Sequence, residues 1–329
     1  MMGSTAPPPI APYDAAAQLT YLLPAVEDYF ASHQATVPTL TSHSARVLSM
    51  GDKVMNADIN ELVLLVRSDA ASAAEILRLA NSTFFRRGQP VEGIDEAIIR
   101  LGRREVYNLL AELTTRSLFE PKVRQLYDLL PQHWYRLQHH AVTSAFGSGW
   151  LSTYLKAGAY EPAFIGGMFH DIGKLGALFS LGNLVLSNAL PFTPSFTATA
   201  HMMETTHTSI GCRMLTQWQI AGSPQDICAY QHQPVPPQHP AFKQVHLVRI
   251  ISSLDTLRDN AFVPAELDAE LRQSLAALAV DDKQLAAIAT KLQSITDHVT
   301  LLLGPKPVAS AGDQGEASGE PLGRDLKPG

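Results

Sequence analysis

Phe164-Ile165-Gly166-Gly167-Met168-Phe169-His170-Asp171-Ile172-Gly173-Lys174-Leu175 puts a histidine, an aspartate and a lysine into five residues of an otherwise apolar run. The apolar flanks predict a buried helix over Pro162 to Leu178, and polar groups in such surroundings are costly unless they are paired. Neighbouring side chains on a helix point about 100° apart, so one ion takes both His170 and Asp171 only from above the helix between them. Gly166 and Gly167 precede His170 by four and three residues. That small face admits a second helix closely.

Helical spacing continues outward from this stretch. Ile59, Leu62, Val63, Val66 and then Ala73, Ile76, Leu77, Ala80 fall at three- and four-residue steps between Ile59 and Leu79, with Asp58 placed to cap the first turn. Ile94, Ala97, Ile98 and Leu101 repeat the pattern, with Asp95 and Glu96 near the positive end of the helix dipole. Gly102 marks a turn before a helix carrying Val106, Leu109, Leu110 and Leu113. Further helical segments run from Trp134 to Leu155, His207 to Trp218, Gln225 to Gln231, His246 to Leu257 and Ala265 to Leu303, the last broken near Val280 to Asp282. No stretch alternates as a strand would. The fold class read from this is all-α.

Composition narrows the function. Of 329 residues, 46% are hydrophobic and 17% charged, and the formal charge is −6. The chain therefore buries a sizeable core, and its charge argues against a nucleic-acid binder held mainly by phosphate contacts. Cys212 and Cys228 are the two cysteines, too few for a disulfide framework. They read as small core residues in a cytoplasmic protein. Leu175 to Met203 lacks charge, but its apolar part to Leu190 is 16 residues, interrupted by Asn183, Ser187 and Asn188, short for a membrane span. Met1 to Pro12 reads as a flexible leader. Gly304 to Gly329 is 26 residues with six glycines and four prolines, a composition that cannot offset the entropy of ordering.

Metal ligation at His170 and Asp171 needs donors from distant segments. His140, on a helical face continuing through Ser144 and Gly147, His207, His232 and Asp255 are the candidates. Four imidazoles and two carboxylates suit Fe, Mn or Zn rather than Ca. Taken singly, each of these residues is more often a cap, a surface group or an ion-pair partner. Arg100, Arg103 and Arg104, with Arg86 and Arg87 nearby, are either an anion patch or a solvated helix face.

Phe169-His170-Asp171-Ile172-Gly173-Lys174-Leu175 resembles the signature of the HD superfamily of all-helical metal-dependent phosphohydrolases. The resemblance implies metal ligation by His140, His170, Asp171 and Asp255. It also implies a second ion held by His207 and His232, as in the branch that cleaves cyclic dinucleotides, and a phosphate contact for Lys174. Gln231 stands where that branch has the first of two histidines, and its Gly-Tyr-Pro motif is absent.

Val37-Pro38-Thr39-Leu40, Ser68-Asp69, Glu75 to Ser82, Ile94 to Ile98, Leu101-Gly102 and Trp218-Gln219-Ile220 resemble the HDOD family, the HD-related output domains of bacteria. The organisation this implies is a leader over 1–36, an N-terminal helical part over 37–130 and an HD-like core over 131–260. C-terminal helices over 261–303 and a disordered tail over 304–329 complete it. The implied function is a regulatory module of signal transduction with a signalling protein or a nucleotide-type ligand as partner, no membrane and one or two divalent ions. The alternative is a metal-dependent phosphohydrolase acting on a nucleotide or a cyclic dinucleotide.

Overall fold

A computed structural model describes residues 14–32, 41–50, 56, 58–85, 88–119, 124–220, 222–259 and 267–304. In chain order the helices are α1 (Ala15–Ser32), α2 (Ser42–Met50), α3 (Ile59–Arg67), α4 (Ala70–Ala80) and α5 (Ile94–Leu101). Then come α6 (Arg103–Phe119), α7 (Arg124–Leu129), α8 (Pro131–Tyr154), α9 (Tyr160–Phe169) and α10 (Ile172–Leu186). The last are α11 (Phe196–Gln217), α12 (Ser223–Tyr230), α13 (Phe242–Asp259), α14 (Leu267–Ala277) and α15 (Asp282–Leu303). Among the described residues there is no strand, and the all-α reading stands.

Local chemistry sets the helix ends. Asp58 accepts a hydrogen bond from the Asn60 N–H and starts α3, as its position predicted. Gly102, at φ 84°, turns α5 into α6, a left-handed conformation that costs glycine little. Asp281 and Gln284 form a reciprocal capping box at the start of α15.

One stretch read as a single helix is two, and the two apolar groups between Ile59 and Leu79 also belong to separate helices. Between Ile59 and Leu79 the chain breaks at Ser68-Asp69, because Asp69 turns extended and accepts the Ser72 N–H as the cap of α4. Between Pro162 and Leu178 it breaks at the His-Asp pair itself. His170 closes α9, and Asp171, at φ −108° and ψ 16°, leaves the helical region before α10 begins. Apolar spacing hides both corners, since residues on either side stay buried.

The centre of the molecule is built where helices touch backbone to backbone. A Cβ on Gly167 would run into the main chain of Ser144 and Ala145, so α9 lies directly on α8. A Cβ on Gly173 would strike the His207 carbonyl and the Gly211 N–H, which locks α10 against α11. Helix α13 packs on α8 and α9, with α14 against it, while α15 packs mainly on α8. Helices α2 to α6 pack mainly among themselves, and α6 leans on α8.

Residues 1–36 read as a leader, but Ala15–Ser32 forms α1 and buries Leu22, Val26 and Phe30. It packs on α10 and α11. Its apolar residues recur every four positions, one face of a helix. Val37 to Leu40, Met1 to Pro12 and the tail from Pro305 onward lie outside the described residues. No helix among the described residues is long and apolar enough to cross a membrane. The uncharged run from Leu175 supplies α10, with Leu175, Leu178 and Leu181 fully buried.

Candidate metal centre

The corner at His170-Asp171 brings two side chains that a straight helix would splay to within 3.5 Å, measured from His170 Nε2 to Asp171 Oδ2. His140, from the middle of α8, puts its Nε2 3.3 Å from His170 Nε2 and 3.7 Å from Asp171 Oδ2. One donor atom from each of these residues lies within 4.8 Å of the other two. The unused ring nitrogens are held. His170 Nδ1 sits 2.8 Å from the Gly167 carbonyl, and His140 Nδ1 sits 2.7 Å from Asp255 Oδ2. Such partners fix the ring orientation and leave Nε2 for an ion.

A second group lies one helix away. Glu204, His207 and His232 likewise offer donors within 4.8 Å of one another. His207 Nδ1 is 2.7 Å from the Glu204 carbonyl, His232 Nδ1 is 3.0 Å from Glu270 Oε1, and the two Nε2 atoms face each other at 3.1 Å. Asp171 joins the groups, its Oδ1 lying 3.6 Å from His207 Nε2. His232 owes its position to Arg249. This fully buried guanidinium donates to the carbonyls of Tyr230, Gln231 and Gln233 and so pins the turn around it.

Two imidazoles and a carboxylate in each group, with their outer nitrogens already engaged, fit a divalent transition metal. His140, His170 and Asp171 would hold one ion, and Glu204, His207 and His232 a second. A bound ion of this kind lowers the pKa of its water and polarises a phosphoryl oxygen.

Protein charges also balance the centre. Lys174 Nζ stands 2.7 Å from Asp171 Oδ2 and 2.6 Å from Glu204 Oε1. Burial opposes the charged form of all three, but their mutual attraction wins. The Asp171 carboxyl is held well below its ordinary range, the Glu204 carboxyl is lowered, and the ammonium is raised. Burial pushes His170 down to about 4 and His207 down as well, so both are neutral and able to donate a lone pair. His140 and His232 go the other way. Burial would lower them, but the carboxylates of Asp255 and Glu270 more than reverse it.

The first group opens into a cavity of about 260 Å³ bordered by Arg136, Phe196, Met203, Arg258, Thr296 and Thr300. Arg136 is paired with Asp259 and Arg258 with Asp255.

Of the residues singled out in the sequence, His140, His170, Asp171, His207 and His232 are brought together. Asp255 is near but stands behind His140, on its Nδ1 side, instead of joining the donor group. The α13 side chain that does reach the donors is Ser252, one turn earlier, with Oγ 3.2 Å from His140 Nε2 and 3.1 Å from His170 Nε2. Glu204 and Glu270 also escaped the sequence reading.

Lys174 is ion-paired and largely buried. Arg100 and Arg104 do not form an open anion patch. Arg100 is tied to the Gln89 carbonyl and Glu96, and Arg104 lies over the Tyr160 ring beside Glu161. Arg86 and Arg87 fall outside the described residues. Cys228 is buried and Cys212 partly so.

Solved structures share this fold. A Shewanella amazonensis SB2B protein, named provisionally as a metal-dependent phosphohydrolase, matches 87% of this chain and 99% of its own at 19% identity and a TM-score of 0.59. An HDOD domain protein of unknown function from Geobacter sulfurreducens matches 88% of this chain and 99% of its own, at 20% identity and a TM-score of 0.58. A second Shewanella amazonensis SB2B protein, named provisionally as a phosphohydrolase, covers 86% of this chain and 98% of its own at 20% identity and a TM-score of 0.51. No curated protein matches the chain significantly. The HDOD domain model matches residues 37–234, well over half of the sequence, and the chain belongs to the HDOD domain family.

Proposed function

We propose that this protein is a regulatory module of bacterial signal transduction, acting from the cytoplasm through a signalling protein or a nucleotide-type ligand, and that it binds metal at the His-Asp centre without depending on the ion for this role. The observation that carries the reading is Ser252. A hydroxyl, not a carboxylate, meets the Nε2 atoms of His140 and His170 from α13. A neutral oxygen there adds no charge to hold a doubly charged ion, and it leaves the first group with a single carboxylate. The ligands of a regulatory site need only bind, whereas hydrolysis needs a tightly held ion that generates a nucleophile.

The alternative, a metal-dependent phosphohydrolase acting on a nucleotide or a cyclic dinucleotide, has one specific observation in its favour. Asp171 stands between the two donor groups, and a cavity of about 260 Å³ opens on the first. In that case His140, His170 and Asp171 hold the ion, and Lys174 steadies a phosphoryl oxygen at its ammonium.

The double change His170→Ala with Asp171→Ala separates the two. As a regulatory module whose fold does not need the ion, the folded variant keeps partner binding and the cellular phenotype. Its melting temperature is measured alongside, because a bound ion also stabilises by mass action. Metal-dependent phosphate release by the wild type, together with loss of all function in a stable variant, would overturn the regulatory reading.

A further inference from the structure

The two donor groups contain one carboxylate each, Asp171 in the first and Glu204 in the second. A single ammonium touches both, with Lys174 Nζ 2.7 Å from Asp171 Oδ2 and 2.6 Å from Glu204 Oε1. The same Asp171 Oδ2 is the oxygen turned toward His140 Nε2 and His170 Nε2. An ion drawn to the first group would therefore seek the lone pairs that the ammonium already uses. The ammonium and an incoming divalent cation would also repel each other in surroundings that screen poorly, since the Lys174 side chain is only 14% exposed. The lysine nevertheless has somewhere to go, because it borders the cavity on the solvent side of the centre.

We propose that Lys174 is a resident cation, bridging Asp171 and Glu204 in the metal-free protein, and that a divalent ion enters only as this ammonium moves off Asp171 toward the cavity. The inference rests on the metal-binding reading of the two donor groups. Its content is distinct from a phosphate contact. The lysine here acts on the ion, with no substrate present, and its presence weakens metal binding while holding the empty centre together. A chain built this way folds before it meets metal, and its affinity is set by a competition inside the protein.

The test uses the full-length chain and Mn²⁺ alone, with affinity read by titration calorimetry and free Mn²⁺ counted by electron paramagnetic resonance. Lys174→Gln removes the competing charge. It is expected to bind Mn²⁺ roughly tenfold or more tightly than the wild type, to melt lower without metal, and to regain more on adding it. A folded Lys174→Gln with unchanged or weaker affinity overturns the proposal. If that variant does not fold without metal, the charge-balanced double change Lys174→Met with Glu204→Gln decides. Tighter binding to the first group supports the resident cation, and equal or weaker binding overturns it. Absence of Mn²⁺ binding in the wild type and in every variant sinks the metal-binding reading itself, an outcome distinct from equal affinities.

Discussion

Ser252 Oγ lies 3.1 Å from His170 Nε2, so the side chain that α13 sends between the two imidazoles is a hydroxyl. Ser252→Asp would put a carboxylate at that point and give the first group a second anionic donor. Mn²⁺ affinity is expected to rise at least about tenfold, as ligand-level changes do. Dialysis against a metal buffer reads it. An affinity at or below that of the wild type would mean that the Ser252 position does not face the ion.

Asp255 works from behind. Its Oδ2 accepts from His140 Nδ1, and its Oδ1 accepts from Arg258. Burial would raise its pKa, but these two partners lower it. A depressed folded value contributes stability above the unfolded pKa, near 4, that is lost as pH falls through the folded one. Asp255→Asn is expected to cost about 3 kcal/mol at neutral pH, because His140 loses its anionic partner in a buried site. The variant should also lose stability less steeply as pH falls below about 4. Urea melts across that range test both statements, and parallel curves for the two proteins would contradict the second.

Gly173 lets α10 rest on the backbone of α11. Gly173→Ala would force the helices apart at the level of Asp171 and His207, at an expected cost of about 3 kcal/mol or more. Gly93→Ala is the control, since nothing lies near a Cβ there and its φ is −101°. Equal midpoints in chemical denaturation for the two alanine variants would show that the helices yield freely.

Glu112 on α6 is buried, and burial pushes its carboxyl up to about 7, with Arg116 the main opposing charge. A carboxyl raised in the folded state stays protonated there while the unfolded chain ionises. Stability is therefore fully present below the unfolded pKa of about 4.5 and falls as pH rises through 7. Glu112→Gln keeps the shape without the charge. It is expected to exceed the wild type at pH 8 by on the order of 1–3 kcal/mol and to come close to it at pH 4. Thermal melts at the two pH values check this, and a constant difference between them would rule it out.

The helices were legible because apolar steps of three and four residues mark buried faces, as Leu62, Val63 and Val66 do on α3. The corners at Asp69 and Asp171 were not, since such steps continue across them. Residue type alone disclosed the histidines, and an apolar setting singled out His170. Ser252 carried no such mark, because a serine on a core helix is ordinary. Glu204 meets Lys174 only through the α10–α11 contact, and Glu270 meets His232 across 38 residues of chain. Contacts of that kind are properties of packing.

Ser252, Asp255 and Glu270 all come from α13 and α14, past residue 234, where the match to the family ends. Recombination at that boundary would join a recognisable domain to a foreign continuation and strip the centre of one entire side. The part of this chain that can be transplanted as a working unit therefore extends at least to α14, and any fusion or fragment should be cut with that longer piece in mind.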